Sequence, residues 1–213
     1  IVVSNSLSKR IEYFIEAGKY LQTEVRFMTY GELFNCLPQL RQAVIKLEPC
    51  VSNETDFLKY ALLNQAYKET LQRLGEMRLS DDVHFLNTPH ALLRALDKKE
   101  TKQVLVDRGL RVTPMLSSPH SFDELRELLA GCGRGCFLKP RYGSGAGGIM
   151  AVRYQPNRNK WVVYTTLQQA DGVIHNTKRI HRLSTEKEMI PLAEAVMQTE
   201  AILEEWIPKE QLQ

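Results

Sequence analysis

Lys139 stands just before a run of glycines, in Leu138-Lys139-Pro140-Arg141-Tyr142-Gly143-Ser144-Gly145-Ala146-Gly147-Gly148. Glycine allows positive φ and leaves no Cβ in the way, so such a run can turn backbone N–H groups toward a phosphate. A lysine before the run adds a cation of the right sign. The plainer reading is a mobile hairpin turn that binds nothing. Three nucleotide motifs compete for the segment. A P-loop requires Gly-Lys-Ser/Thr after four intervening residues, and no such lysine follows here. The dinucleotide fingerprint is matched in letters by Gly143, Gly145 and Gly148, but it must open a helix. Residues 149–154, Ile-Met-Ala-Val-Arg-Tyr, read instead as a strand stopped by Pro156. Protein kinases fold a glycine hairpin over phosphates, yet His181-Arg182-Leu183 lacks their catalytic Asp and no Asp-Phe-Gly occurs. A β-hairpin lid with a lysine at the end of its first strand remains.

The elements that must position this hairpin can be read from periodicity. Ile1-Val2-Val3, an apolar helical pattern through Ile11, Phe14, Ile15 and Leu21, and an alternating stretch at 24–28 give a βαβ-like opening. With a strand at 44–47 and a long polar helix from Asp56 to Arg78, this implies a small parallel α/β unit. The pattern resets near Thr88-Pro89, a helix cap followed by proline at the first position. A helix over 121–130 is capped by Ser121 with Glu124 three residues on. Strands follow at 136–140, 149–154 and 161–166, with 179–183 as a pairing partner, then a helix at 190–199 and a strand at 201–207.

Composition excludes several classes. The 213 residues carry 28 basic and 25 acidic side chains, a net charge of +3 that is too small to argue for nucleic acid. No segment reaches the roughly 18 apolar residues of a membrane span. The first residues lack the basic start and apolar stretch of a signal peptide, and no Met begins the chain, so a trimmed, cytoplasmic protein is expected. Of Cys36, Cys50, Cys132 and Cys136, only the last two are close in sequence, without a second pair at zinc spacing. They read as a loop cysteine and a buried strand cysteine in a reducing compartment.

Three segments together resemble the ATP-grasp superfamily. Asp97-Lys98-Lys99-Glu100-Thr101-Lys102, followed by Gly109 and Pro114, looks like the family's Asp-Lys-x-x-x-Lys stretch. Leu138-Lys139-Pro140 and the glycines look like its Lys-Pro strand and lid, and Leu203-Glu204-Glu205-Trp206-Ile207 looks like the strand joining the halves of the grasp. D-alanine–D-alanine ligases show the same motif order, and the chain is also similar to a bacterial group of poorly characterised ATP-grasp proteins. The resemblance implies an α/β (α+β) chain with a small N-terminal domain over 1–84, a grasp subdomain over 85–200 and a hinge strand beginning a truncated half at 201–213. It implies that Lys102 and Lys139 hold phosphates, and that Tyr142, Gly143, Ser144, Gly145, Ala146, Gly147 and Gly148 form the lid. Glu204, Glu205, Trp206 and Ile207 would hold adenine. Arg141, His175, Lys178 and Arg179 are in segments that could face the cleft, Arg141 as an anion contact, while Lys98 and Lys99 read as surface. The implied cofactors are ATP and Mg²⁺, with the magnesium carboxylates expected beyond the end of this chain, and none within it. The implied reaction activates a small-molecule carboxylate as an acyl-phosphate for attack by an amine or thiol, and this chain alone is expected to bind ATP weakly and turn over little. A non-catalytic nucleotide-sensing module and a kinase on the same fold are the alternatives, with neither nucleic acid nor membrane as partner.

Overall fold

A computed structural model describes residues 1–50 and 52–207, apart from the side chain of Lys178. The expectations placed on Lys178 and on residues 208–213 therefore lie outside the described residues. The chain divides into two compact units, one of residues 1–53 and 62–95 and one of residues 54–61 and 96 onward.

The first unit is built on four short parallel strands, as the βαβ-like opening implied. In chain order come β1 (Val2–Ser4), α1 (Lys9–Tyr20), β2 (Phe27–Thr29), α2 (Tyr30–Cys36), β3 (Ala43–Leu47), α3 (Phe57–Glu76, whose residues 57–61 belong to the second unit), β4 (Val83–Phe85) and α4 (Pro89–Leu96). The strand order is β2-β1-β3-β4, with every pair parallel. Val2, Val3, Ile45, Leu47 and Val83 are all apolar and inaccessible, whereas Val44 of β3 is exposed. Local chemistry fixes the helix starts. Ser8 accepts from the Ile11 N–H at the start of α1, and Thr29 and Glu32 form a reciprocal capping box on α2. Gly18 lets α1 lie close to the following chain, since a Cβ there would come within 2.4 Å of Val25 Cγ2. The strand expected at 24–28 begins only at Phe27, because the preceding residues serve as the connection out of α1.

The second unit holds an antiparallel sheet with two of its helices packed on one face. Its elements are α5 (Lys98–Asp107), β5 (Met115–Leu116), α6 (Phe122–Cys132), β6 (Cys136–Pro140), β7 (Met150–Gln155), β8 (Lys160–Ala170), β9 (Val173–Leu183), α7 (Glu186–Met197) and β10 (Ala201–Glu205). The order is β5-β10-β6-β7-β8-β9. Side chains alternate across each strand. Leu138, Met150, Val152, Val163 and Leu203 point into one core with Leu125, Leu129, Leu192 and Val196 of α6 and α7. The opposite face carries Phe137, Lys139, Ala151, Arg153, Tyr164 and Glu204, placed side by side by the pairings Glu204↔Phe137, Phe137↔Ala151 and Ala151↔Tyr164. This alternation separates a packing face from a face free to carry chemistry.

Three expectations need correction. Cys132 ends α6 and is not a loop residue, because α6 continues until Gly133 takes the left-handed conformation that caps it. Helix α7 starts at Glu186, ahead of the expected 190, because Thr185 and Glu188 form a capping box. The last strand ends at Glu205, two residues short of the expected Ile207.

Leu138 is fully buried between sheet and helices, so Leu138→Ala should cost about 3 kcal/mol through lost transfer energy and a cavity. Ile180, which is 75% exposed, should tolerate Ile180→Ala within about 0.5 kcal/mol. Urea unfolding of the two variants checks both, and equal costs would contradict this division of the sheet into faces.

Candidate functional site

The side chains at issue gather on the face of the second unit's sheet opposite α6 and α7. Strand β10 sends Leu203 into the core, so Glu204 must face the other way, where it is only 5% exposed. A buried carboxylate needs paired charge. Two ammonium groups supply it: Lys139 from β6 on one oxygen and Lys102 from α5 on the other. Burial alone would raise the Glu204 carboxyl, but the two lysines outweigh burial and hold it below the ordinary carboxylate range. Lys102 is further enclosed by Thr113, donating to its carbonyl at 2.9 Å and to its hydroxyl. The side chain of Lys102 is 14% exposed, against 20% for Lys139. The two lysines singled out from the sequence therefore meet at one acid.

Lys98 was read as a surface residue, and the structure corrects this. It is the first residue of α5, part-buried, and its ammonium donates to the Gly143 carbonyl at 2.8 Å. Burial, followed by the nearby positive charge of Lys139, lowers its pKa to about 8. Lys99, one residue on, is exposed as expected. The signal that could have revealed Lys98 is its neighbour. Asp97 caps α5 by accepting from the Lys99 and Glu100 N–H groups, which directs the first helical residue back toward the glycine run.

Asp97 also decides what Arg141 does. The guanidinium donates to both Asp97 oxygens, at 2.9 and 2.6 Å, and to Glu200 at 3.0 Å. This fork is the geometry of a structural bidentate pair, and it removes Arg141 from the role of a free anion contact. Of the other cleft candidates, His175 contacts Thr55 at 3.3 Å and Arg179 is exposed; neither touches the lysine cluster.

The glycine run is a turn between two antiparallel strands, with no helix at Gly147. Gly143, Gly145 and Gly148 have φ of 106°, 70° and 72°, and Ala146 is forced to 60°. These angles are the reason for glycine here. The turn is tethered at several points. Tyr60 donates its hydroxyl to the Ser144 carbonyl at 2.9 Å, and Thr166 donates to the Ala146 carbonyl at 3.3 Å. A Cβ on Gly148 would come within 2.3 Å of Phe57 Cε2. Tyr142 adds its hydroxyl to Asp97 at 3.4 Å. The Gly148 N–H donates to the Asn176 side-chain oxygen at 3.4 Å, whereas the N–H groups of residues 143–147 have no partner among the described residues. Ser144, Gly145 and Ala146 are exposed.

Beyond Glu204, two of the expected donors are already engaged. The Glu205 N–H donates to Pro114 at 3.0 Å and the Trp206 N–H to Gly135 at 2.7 Å. Glu205 pairs with Arg134 at 3.1 Å. The Trp206 ring lies against Phe137 with centroids 5.5 Å apart, and Arg153 is 5.8 Å from its centre. Trp206, Arg153, Tyr154, Pro114, Gly135 and half-exposed Ile207 line a cavity of about 650 Å³. That volume suits a small ligand with a flat, apolar part.

No protein-family model and no curated protein matches the sequence. Several solved structures are similar in fold. D-cycloserine synthetase DcsG superposes with a TM-score of 0.49 at 14% identity, covering 93% of this chain and 79% of that one. A RimK domain ATP-grasp protein from Sphaerobacter thermophilus DSM 20745 gives 0.47 at 12% identity, covering 99% and 66%. The ATP-grasp ligase PsnB, complexed with minimal precursor, gives 0.48 at 14% identity, covering 97% and 63%. The chain thus spans about two thirds to four fifths of the length of these proteins. All three scores are below 0.5.

The tethered turn gives a paired expectation. Gly148→Ala should destabilise by about 2 kcal/mol or more, from the positive φ and the clash with Phe57. Ala146→Gly should be neutral or stabilise by up to about 1 kcal/mol, since it relieves a left-handed alanine. Denaturant unfolding decides, and a harmless Gly148→Ala would mean the turn is not held as described.

Proposed function

We propose that the second unit binds ATP on the face of its sheet that carries Glu204 and Lys139, and that the protein is an ATP-dependent carboxylate ligase. The observation that carries the reading is a pair of part-buried ammonium groups, Lys98 and Lys139, beside a glycine turn whose amides are open. A part-buried lysine whose pKa is depressed to about 8, chiefly by burial, is suited to an anion, because a polyphosphate supplies the charge stabilisation that water no longer gives. The amides of residues 143–147 supply further donors of the kind that cradle phosphate oxygens. The cavity at Trp206 and Ile207 would take the base, with the Glu205 carbonyl and the Ile207 N–H offering an acceptor and a donor.

Lys102 takes a different part in this reading. Its ammonium is enclosed by Glu204 and Thr113, so it acts through Glu204, holding that carboxylate where Lys139 can share it. An arriving phosphate competes with Glu204 for Lys139 alone. The ligase reading extends the resemblance noted in the sequence: a small-molecule carboxylate would be activated as an acyl-phosphate and passed to an amine or thiol. Among the described residues no group of three or more His, Cys, Asp or Glu could hold a metal ion, so no residue here is assigned to Mg²⁺ and no step is routed through it.

Calorimetry with ATP tests the site. Lys98→Met and Lys139→Ala should each weaken binding by roughly 10- to 100-fold, the value of a charge-assisted hydrogen bond of about 1.5–3 kcal/mol. The pH dependence has a definite sign. The free protein has Lys98 at about 8, and bound phosphate raises it, so binding takes up a proton above that pH and weakens as pH rises toward the ordinary lysine value. Proton uptake, measured in buffers of different ionisation enthalpy, should disappear in Lys98→Met. Unchanged affinity in both variants would remove the site.

A further inference from the structure

Cys132 ends α6 and Cys136 opens β6, with only Gly133-Arg134-Gly135 between them. Both thiols are free, and their sulfurs are 3.8 Å apart, in direct contact. Cys136 is fully buried, but Cys132 is half-buried and lines an open cavity of about 520 Å³ with Leu116, Glu127 and Leu128. That cavity lets a small reagent reach one sulfur of the pair and not the other. A disulfide requires the sulfurs at about 2.05 Å, so the turn must give by less than the width of one atom. Gly133 is left-handed with nothing within 4 Å of its Cβ position, which leaves room for that shift.

The same turn is fastened to the end of β10 in three ways. The Gly135 carbonyl accepts from the Trp206 N–H at 2.7 Å, and Arg134 pairs with Glu205 at 3.1 Å. Gly135 also lies under the Trp206 ring, where a Cβ would approach Cε3 to 2.9 Å. A displacement of residues 133–135 cannot avoid moving Trp206.

We propose that Cys132 and Cys136 form a redox-sensitive pair that closes to a disulfide by exchange with a low-molecular-weight disulfide, and that closure is transmitted through Gly135 to Trp206. The Cys132 thiolate attacks the reagent disulfide and forms a mixed disulfide, releasing one reagent thiolate. Cys136 then gives up its proton to solvent and attacks the Cys132 sulfur, releasing the second. Two protein thiols are oxidised, one reagent disulfide is reduced to two thiols, and the atoms balance. Burial, with Cys132 beside it, pushes the Cys136 thiol up to about 12, so the second step is slow near neutral pH and quickens as pH rises. An effect on nucleotide binding rests on the function proposed above; the disulfide and its transmission do not.

The test treats the intact chain with oxidised glutathione and maps the products by mass spectrometry. The expected product has lost two hydrogens, retains no glutathione at Cys132, and yields a peptide cross-linking Cys132 to Cys136. Cys136→Ser should instead retain glutathione on Cys132. Transmission is read from the emission of Trp206 in a Trp161→Phe background, where oxidation should shift it and dithiothreitol should restore it. The oxidised-minus-reduced difference spectrum of the wild-type chain gives the same readout if the variant does not fold. Failure to form the cross-link while glutathione adds to other cysteines would overturn the pair. A cross-link that leaves Trp206 emission unchanged would overturn the transmission. Oxidation should also weaken ATP binding several-fold, whereas absence of ATP binding in the reduced protein would count against the nucleotide site and leave the disulfide results standing.

Discussion

One buried carboxylate organises the chemistry-bearing face. Strand alternation forces Glu204 out of the core and onto the side of the sheet opposite α6 and α7, and an acid so enclosed is tolerable only with its charge matched. Lys102 from α5 and Lys139 from β6 match it, and in doing so they tie a helix and two strands to one point. The arrangement has more positive than negative charge once Lys98 is included. That surplus, held beside open amides, is what makes the face suited to an anion rather than to further packing.

A second carboxylate does the complementary task. Asp97 caps α5 and binds the Arg141 fork, so it fixes the start of the helix against the entrance to the glycine turn. Because Arg141 is engaged with Asp97 and Glu200, it serves position rather than binding. The two acids thus sort four nearby cations into roles. Lys102 and Arg141 are held in place by carboxylates, Lys139 is shared, and Lys98 hydrogen-bonds to carbonyls among the described residues, with Glu204 and Asp97 acting on it only through space.

Much of this was legible in the sequence where the signal is local. The cap at Ser121, the parallel opening unit, and the strand–turn–strand setting of the glycines all follow from short-range rules. The meeting of Lys102 and Lys139 was expected from resemblance, yet its agent, Glu204, is a tertiary fact: nothing in the spacing says that one acid receives both. Lys98 was missed because a lysine in a charged run is ordinarily solvated, and only the Asp97 cap turns it inward. Arg141 was misjudged for the same reason in reverse, since its carboxylate partners lie on distant segments of the chain. The engaged donors of Glu205 and Trp206 could not be foreseen either, because their acceptors, Pro114 and Gly135, belong to other strands and turns.

The most direct measurement of the central claim is the NMR response of the lysine side-chain nitrogens to ADP and ATP, with assignments made by single Lys→Arg variants. The account predicts that the Lys98 and Lys139 resonances move on nucleotide binding while Lys102, enclosed by Glu204 and Thr113, stays nearly fixed. Movement of Lys102 without Lys98, or no movement of Lys98 and Lys139 at saturating nucleotide, would contradict it.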